Sequence, residues 1–465
     1  MSLTDQEIQS IVEDTRKRLG HTKTTGAGWL CDTMEEAVAA AAAAQRELMR
    51  HTLAERAAMI DAMRRAAREN VRQISELAHQ ETGYGSVEHK VLKNLLAIEK
   101  TPGVEDLHAD AVSGDFGLTL MEKAPFGVIG AITPSTNPTS TVINNSISMI
   151  SAGNAVVFNP HPAAKRASTE AMRILNGAIR AAGGPAALIC TVKEPTLETG
   201  KALMEHKQVP LLAITGGEAV VRVAMKTGKK VIAAGPGNPP VIVDDTANIS
   251  KAAKDIVDGA SFDNNVLCIA EKEVFVYEGV ADALLSAMQI NGAYLASHMD
   301  AEKIVNTVFA QKDGKYTLNR KFVGKPATYI LKESGVRFEG NPRLVIAEVT
   351  ECHPFITVEM LMPVLGIVRV KHDIHAAIEK AVAAEDGCRH TAIMHSQNVS
   401  HLSMAAKALD TTIFVKNAPS YAGLGFNGEG FTTLTIATPT GEGITSARTF
   451  TRNRRCVLYG EFRIV

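Results

Sequence analysis

The chain has 465 residues, 45% hydrophobic and 21% charged, enough for two or three ordinary globular domains. A formal net charge of −1 gives no electrostatic basis for binding nucleic acid or an anionic membrane, and no apolar run approaches the roughly 18 residues needed to cross a bilayer. Six scattered cysteines (Cys31, Cys190, Cys268, Cys352, Cys388, Cys456), without metal-ligand spacing or a visible signal peptide, fit a reducing, cytoplasmic setting.

Residues 1–20 read as a self-contained amphipathic helix. Thr4 and Glu7 form a capping box, and Leu3 and Ile8 a hydrophobic staple. Ile8, Ile11, Val12, Thr15 and Leu19 make one apolar stripe, and Arg16, Lys17 and Arg18 suit the negative end of the helix dipole. Residues 21–28 read as a linker, so the helix has the form of a docking peptide on a tether. Residues 33–82 predict two or three helices, and Phe116–Lys123 and Gly127–Thr133 have strand character. Between Pro138 and Ala233 helices alternate with short strands that are apolar throughout. That pattern predicts a parallel sheet covered on both faces, with ligands at the carboxyl ends of its strands. Residues 29–239 are therefore expected to form a nucleotide-binding domain, and residues 240–436 a second α/β unit. Residues 437–465 turn basic and then strand-like, and are expected to return to the first domain or to another subunit.

In the second unit, Cys268 lies between helix-like Ile249–Ala260 and strand-like Glu273–Tyr277. A thiol at such a junction can be exposed yet rigidly held, as a nucleophile needs; most free cysteines are simply small buried apolar residues. No GxGxxG opens a helix. Gly235-Pro236-Gly237 precedes further prolines, which argue against a helix there. Thr215-Gly216-Gly217 before Glu218 is the better phosphate candidate, being a strand–Gly-Gly–helix turn with free N–H groups. Asn137, before Pro138, has the form of a helix N-cap.

Thr133-Pro134-Ser135-Thr136-Asn137-Pro138, Ala213-Ile214-Thr215-Gly216-Gly217, the Cys268 stretch and Glu359-Met360-Leu361-Met362-Pro363 together resemble the aldehyde dehydrogenase superfamily. Ile143-Asn144-Asn145-Ser146-Ile147-Ser148, His390-Thr391-Ala392-Ile393-Met394-His395-Ser396 and Phe431-Thr432-Thr433 through Thr440-Gly441-Glu442-Gly443 resemble its coenzyme A-acylating branch. Within that branch the chain is most similar to the propionaldehyde and acetaldehyde dehydrogenases of bacterial microcompartments. The resemblance implies an α/β fold: a Rossmann-type cofactor domain, an α/β catalytic domain and a β-type oligomerisation extension that includes part of 110–125. It implies Cys268 as nucleophile and Asn137 as the amide facing the oxyanion, beside the cysteine's own N–H. It also implies NAD and coenzyme A as cofactor and co-substrate. The NAD contacts would come from Thr133, Pro134, Ser135, Pro160, His161, Thr215, Gly216, Gly217, Ala234, Gly235, Glu359 and Pro363. Partners implied are a short-chain aldehyde, microcompartment shell proteins through residues 1–20, and further copies of the chain in a dimer or tetramer. No metal, nucleic acid or membrane is expected.

Two departures inform the chemistry. Where hydrolytic members carry a glutamate that activates water, this chain has Ala233. Where the family carries a lysine before proline for the adenosine ribose, it has Asn159-Pro160-His161. The rival readings are a hydrolytic enzyme with another base and a non-catalytic microcompartment component.

Overall fold

The uninterrupted apolar runs assemble as the pattern predicts. In the computed structural model, which describes residues 28–465 except Asp313, two parallel sheets form two layered halves. The amphipathic helix and linker expected over 1–27 lie outside the described residues.

The first sheet has six strands, ordered in space Leu30–Cys31, Ile189–Val192, Ala155–Pro160, Val128–Thr133, Leu211–Thr215, Lys230–Ala234. Chain order runs outward in one direction from Val128–Thr133 and then resumes on its other side at Leu211–Thr215. The reversal leaves a crevice at the carboxyl ends of these two strands, where Thr133 and Thr215 sit. Helix Pro138–Ser151 packs beneath and is buried along its whole length. Its polar residues are spent internally. Asn144 donates to Thr101 Oγ1 at 2.9 Å and accepts from Leu434 N–H at 3.0 Å, and Asn145 Oδ1 accepts from Thr435 Oγ1 at 3.0 Å. The motif Ile143–Ser148 is thus a polar seam that ties this helix to residues 432–435.

The second sheet has seven strands, ordered Ala293–Leu295, Leu344–Glu348, Val364–Val370, Glu273–Tyr277, Pro240–Val243, Thr391–His395, Ile413–Lys416. Gly235–Pro239 is the crossing from the edge strand of the first sheet into this one, which is why its prolines open no helix. Glu273–Tyr277 and Val364–Val370 are adjacent and parallel, so the segments that lead into them, carrying Cys268 and Glu359, arrive side by side.

A third sheet is antiparallel. Asp110–Gly114 and Gly117–Pro125 form a hairpin, and Thr451–Tyr459 pairs along Gly117–Pro125 from end to end. Gly117 has φ +112°, and a Cβ there would sit 2.0 Å from the Leu458 carbonyl oxygen, so only glycine lets the tail strand approach. The tail, expected to return to the first domain or to another subunit, pairs here with Gly117–Pro125 of its own chain. No helix among the described residues is long and apolar enough to cross a membrane.

Candidate active site

Cys268 does not lie on an element. It sits in a turn closed by Ala270 N–H donating to Leu267 O at 3.1 Å, between helix Ile249–Ser261 and strand Glu273–Tyr277. The chain reaches it through three consecutive left-handed residues, Asp263 (φ 48°), Asn264 (φ 53°) and Asn265 (φ 62°). Asp and Asn tolerate this conformation best, but three in a row cost stability and need outside support. That support comes from their own side chains. Asn264 Nδ2 donates to Gly324 O at 2.9 Å, and Asn265 Nδ2 to Ala260 O at 2.8 Å and Glu271 O at 3.0 Å.

Asp263 carries the largest share. Its carboxylate accepts from Ser86 N–H at 2.8 Å and from Lys90 Nζ at 3.2 Å, and it pairs closely with Lys93. Its own N–H donates to His89 Nδ1 at 2.8 Å, and the His89 ring stacks on Phe262. Burial alone would raise the Asp263 carboxyl, but Lys93 and Lys90 hold it below the usual range. Burial pushes Lys93 down to about 8, against the opposing pull of Asp263.

Lys272 performs the same service on the far side of the turn. Fully buried, its ammonium donates to Asn265 Oδ1, to Asn265 O at 3.2 Å and to Met360 O at 3.1 Å. One cation therefore joins the cysteine turn to the segment that carries Glu359.

The resulting cleft encloses about 400 Å³ between the two large sheets. Cys268, Asn137, Thr133, Pro134, Ser135, Pro160, His161, Thr215, Gly216, Gly217, Ala234, Gly235 and Glu359 all line it. Pro363 does not; it is set back in the sheet, its carbonyl accepting from Val345 N–H at 2.9 Å. Ala233 is buried at the end of its strand, and Ala234 reaches the cleft in its place. Glu359 is the only carboxylate lining the cleft among the described residues. Thr133 Oγ1 is buried on the cleft wall without a partner among the described residues, an open hydrogen-bonding group of the kind a bound polar ligand satisfies. With the glycine turn at 216–217 and four strand ends, this wall fits an extended nucleotide.

Asn137 starts helix Pro138–Ser151, but its side chain makes no capping bond, contrary to the helix N-cap its sequence position suggests. Its oxygen instead accepts from Lys93 Nζ at 2.6 Å. Asn159, in the place of the family lysine, is occupied structurally: it donates to Thr196 O at 3.2 Å and accepts from Thr199 Oγ1 at 2.6 Å. A small apolar recess is lined by Leu96, Phe262, Leu267, Tyr421, Leu424, Phe426 and Leu434 together with Lys93, and it shares Leu267, Leu424 and Leu434 with the cleft.

Electrostatically the resting thiol is neutral. Burial foremost, then the charge of Glu359, push Cys268 up to about 12, while Lys272 and Lys93 pull the other way. Burial also raises Glu359, opposed by Lys272 and by the Gly237 N–H.

Sequence reasoning missed three groups. Lys93 and Lys90 lie on helix Val87–Lys100, with Asn94, Ala97 and Ile98 on the same buried stripe. Two lysines at core positions of a helix are the signal that was available, because buried charges need partners. Lys272 follows the cysteine closely but had no periodicity to mark it. His390 is fully buried, held neutral by burial that pushes it down to about 4. Its Nε2 has no partner among the described residues, and its ring flanks Gly237 on the side where Gly237 meets the Cys268 carbonyl.

The pattern of the Aldehyde dehydrogenase family matches residues 4–430. The chain is 47% identical to the acetylating acetaldehyde dehydrogenase EutE of Escherichia coli (strain K12), covering 100% of both. A propionaldehyde dehydrogenase from the fucose-utilisation microcompartment of Clostridium phytofermentans superposes with TM-score 0.92 at 48% identity, over 94% of this chain and 99% of that one. A propionaldehyde dehydrogenase of Rhodopseudomonas palustris, solved with bound CoA and an acylated cysteine, superposes with TM-score 0.90 at 47% identity, over 93% and 98%.

Proposed function

Because the chain belongs to the aldehyde dehydrogenase family, we propose that it oxidises a short-chain aldehyde, propionaldehyde or acetaldehyde, to the acyl-CoA. The thiol of Cys268 adds to the carbonyl carbon, its proton passing to solvent as the S–C bond forms and the carbonyl π pair moves to oxygen. The developing oxyanion is met by the Asn137 NH₂ and the Cys268 N–H. The cleft wall at Thr133, Thr215, Gly216 and Gly217 would hold an oxidised nicotinamide cofactor, which when bound would supply the hydride acceptor. Loss of the hydride leaves an acyl group on the Cys268 sulfur, and Glu359 would hold the ribose end of the cofactor. The thiol of coenzyme A displaces the Cys268 sulfur, a thioester exchange with little free-energy change.

The observation that carries this reading is the absence of a water-activating carboxylate where Ala233 stands, in a cleft that holds Cys268 and whose one lining carboxylate among the described residues is Glu359. General-base help worth about 10²–10⁴-fold is missing for hydrolysis. A hydrolytic enzyme and a non-catalytic shell component are the alternatives. The test is the lifetime of the acyl-enzyme without coenzyme A. Slow release, accelerated on adding coenzyme A, is expected; rapid turnover to free acid would reject the reading.

Residues 29–239 act as the cofactor domain and 240–436 as the catalytic domain. The antiparallel sheet presents exposed Phe116, Val457, Leu458 and Tyr459, a surface suited to a second copy of the chain. The helix expected over residues 1–20 docks the enzyme to a microcompartment shell, in keeping with the source of the Clostridium phytofermentans relative. Deletion of residues 1–20 should spare activity and abolish encapsulation.

A further inference from the structure

An oxyanion donor works only if its N–H points at the charge, and an asparagine side chain is nearly symmetrical in shape. Rotating the amide by half a turn exchanges NH₂ for C=O at almost no steric cost. At Asn137 that rotation would present a carbonyl oxygen to the developing negative charge. Something must therefore set the sense of this amide.

The helix cap does not, since the side chain makes no capping bond. Lys93 does: its ammonium, only a donor, lies 2.6 Å from one end of the amide, so that end must be the oxygen. The opposite end then faces away from Lys93, in the cleft that also holds Cys268. There the NH₂ has one partner among the described residues, a long 3.3 Å contact to Thr136 Oγ1, which leaves a proton free. Lys93 is itself fixed. It is 6% exposed, pairs with Asp263, and Asp263 stands five residues before Cys268 in the chain. Asp263 is therefore shared between the turn that positions the sulfur and the cation that positions the amide.

We propose that Lys93, ion-paired to Asp263, is a positioning residue that fixes the Asn137 amide with its NH₂ toward the oxyanion, coupling the geometry of the donor to that of the nucleophile. This rests on the reading of Asn137 as an oxyanion donor. Lys93 touches neither aldehyde nor cofactor in this scheme; apart from orienting Asn137, its charge lowers the Cys268 thiol.

The experiment is a double-mutant cycle on the single-turnover rate of NADH formation with saturating aldehyde. Asn137→Ala should slow it by about 10²–10³-fold, the usual loss of one oxyanion donor. Lys93→Met should slow it by about 10–10²-fold with KM for the aldehyde little changed. In the Asn137→Ala background Lys93→Met should cost much less than in the parent enzyme, because there is no amide left to orient and only the charge near Cys268 is lost. Multiplying losses would overturn the proposal. An Asn137→Ala enzyme with unchanged rate would instead reject the reading of Asn137 and the proposal with it. Against loss of fold, Lys90 still pairs with Asp263 in Lys93→Met. The pair Asp263→Asn and Lys93→Met removes both charges together, and must still be slower than Asp263→Asn alone.

Discussion

Gly85 supplies a seat for the carboxylate on which the cysteine turn depends. Its φ is +64°, and a Cβ built there falls 1.8 Å from Asp263 Oδ1 and 2.4 Å from its Cγ. Gly85→Ala must therefore expel the carboxylate as well as strain the backbone. The left-handed conformation costs about 1–2 kcal/mol for a residue with a side chain. Breaking a buried ion pair costs about 3–5 kcal/mol, because the charge left behind has no solvent. Together these predict about 4–7 kcal/mol, a large share of the roughly 5–15 kcal/mol that holds a typical domain together. Gly335 is the internal control: its φ is +66°, and a Cβ there would meet nothing within 4 Å. Gly335→Ala should lose only the strain, about 1–2 kcal/mol. Urea titration of both variants measures the difference, with acyl-CoA formation as a parallel readout. Equal losses for the two variants would refute the idea that Asp263 in its seat organises the turn.

Two further outcomes follow from the titrating groups. With the Cys268 thiol pushed up to about 12, alkylation of the resting enzyme should rise about tenfold per pH unit between pH 7 and 10. Because Glu359 contributes to that shift, Glu359→Gln should speed alkylation even as it slows turnover; a labelling plateau below pH 9 contradicts this. His390 is buried neutral, with its folded value near 4 against an unfolded value of 6.5. Its contribution is present above pH 6.5 and lost as pH falls toward 4, since the unfolded chain takes up the proton first. The loss is about 3 kcal/mol. His390→Asn should flatten the acid limb of the stability curve by that amount, and an unchanged limb argues against a buried neutral histidine.

Much of the fold was legible because its signals are local. Runs such as Val128–Thr133 and Leu211–Thr215 are apolar throughout, as only strands covered on both faces can be. Cys268, Asn137 and Glu359 were singled out through motifs whose order in the chain is distinctive, and the fold brings the three to one cleft. What was not legible is how those residues are held. Lys93 and Asp263 are 170 residues apart, and nothing in the spacing of either predicts an ion pair. The sense of the Asn137 amide depends on that pair, so the capping bond suggested by Asn137-Pro138 gave way to a long-range contact stronger than any local preference. Lys272 was hidden for a similar reason: its partners include the backbone carbonyl of Met360, and carbonyls have no sequence identity.

The ribbon formed by Asp110–Pro125 and Thr451–Tyr459 bears on how the chain is made. Pro125 is aligned with Thr451, and both large sheets, apart from the edge strand Leu30–Cys31, are encoded between them. During synthesis the hairpin must wait with one flank of backbone donors and acceptors unpaired while nearly the whole remaining chain emerges. Such an open flank invites pairing with another nascent copy. The order of events at the ribosome thus favours self-association at this ribbon before the chain's own last strand arrives to close it.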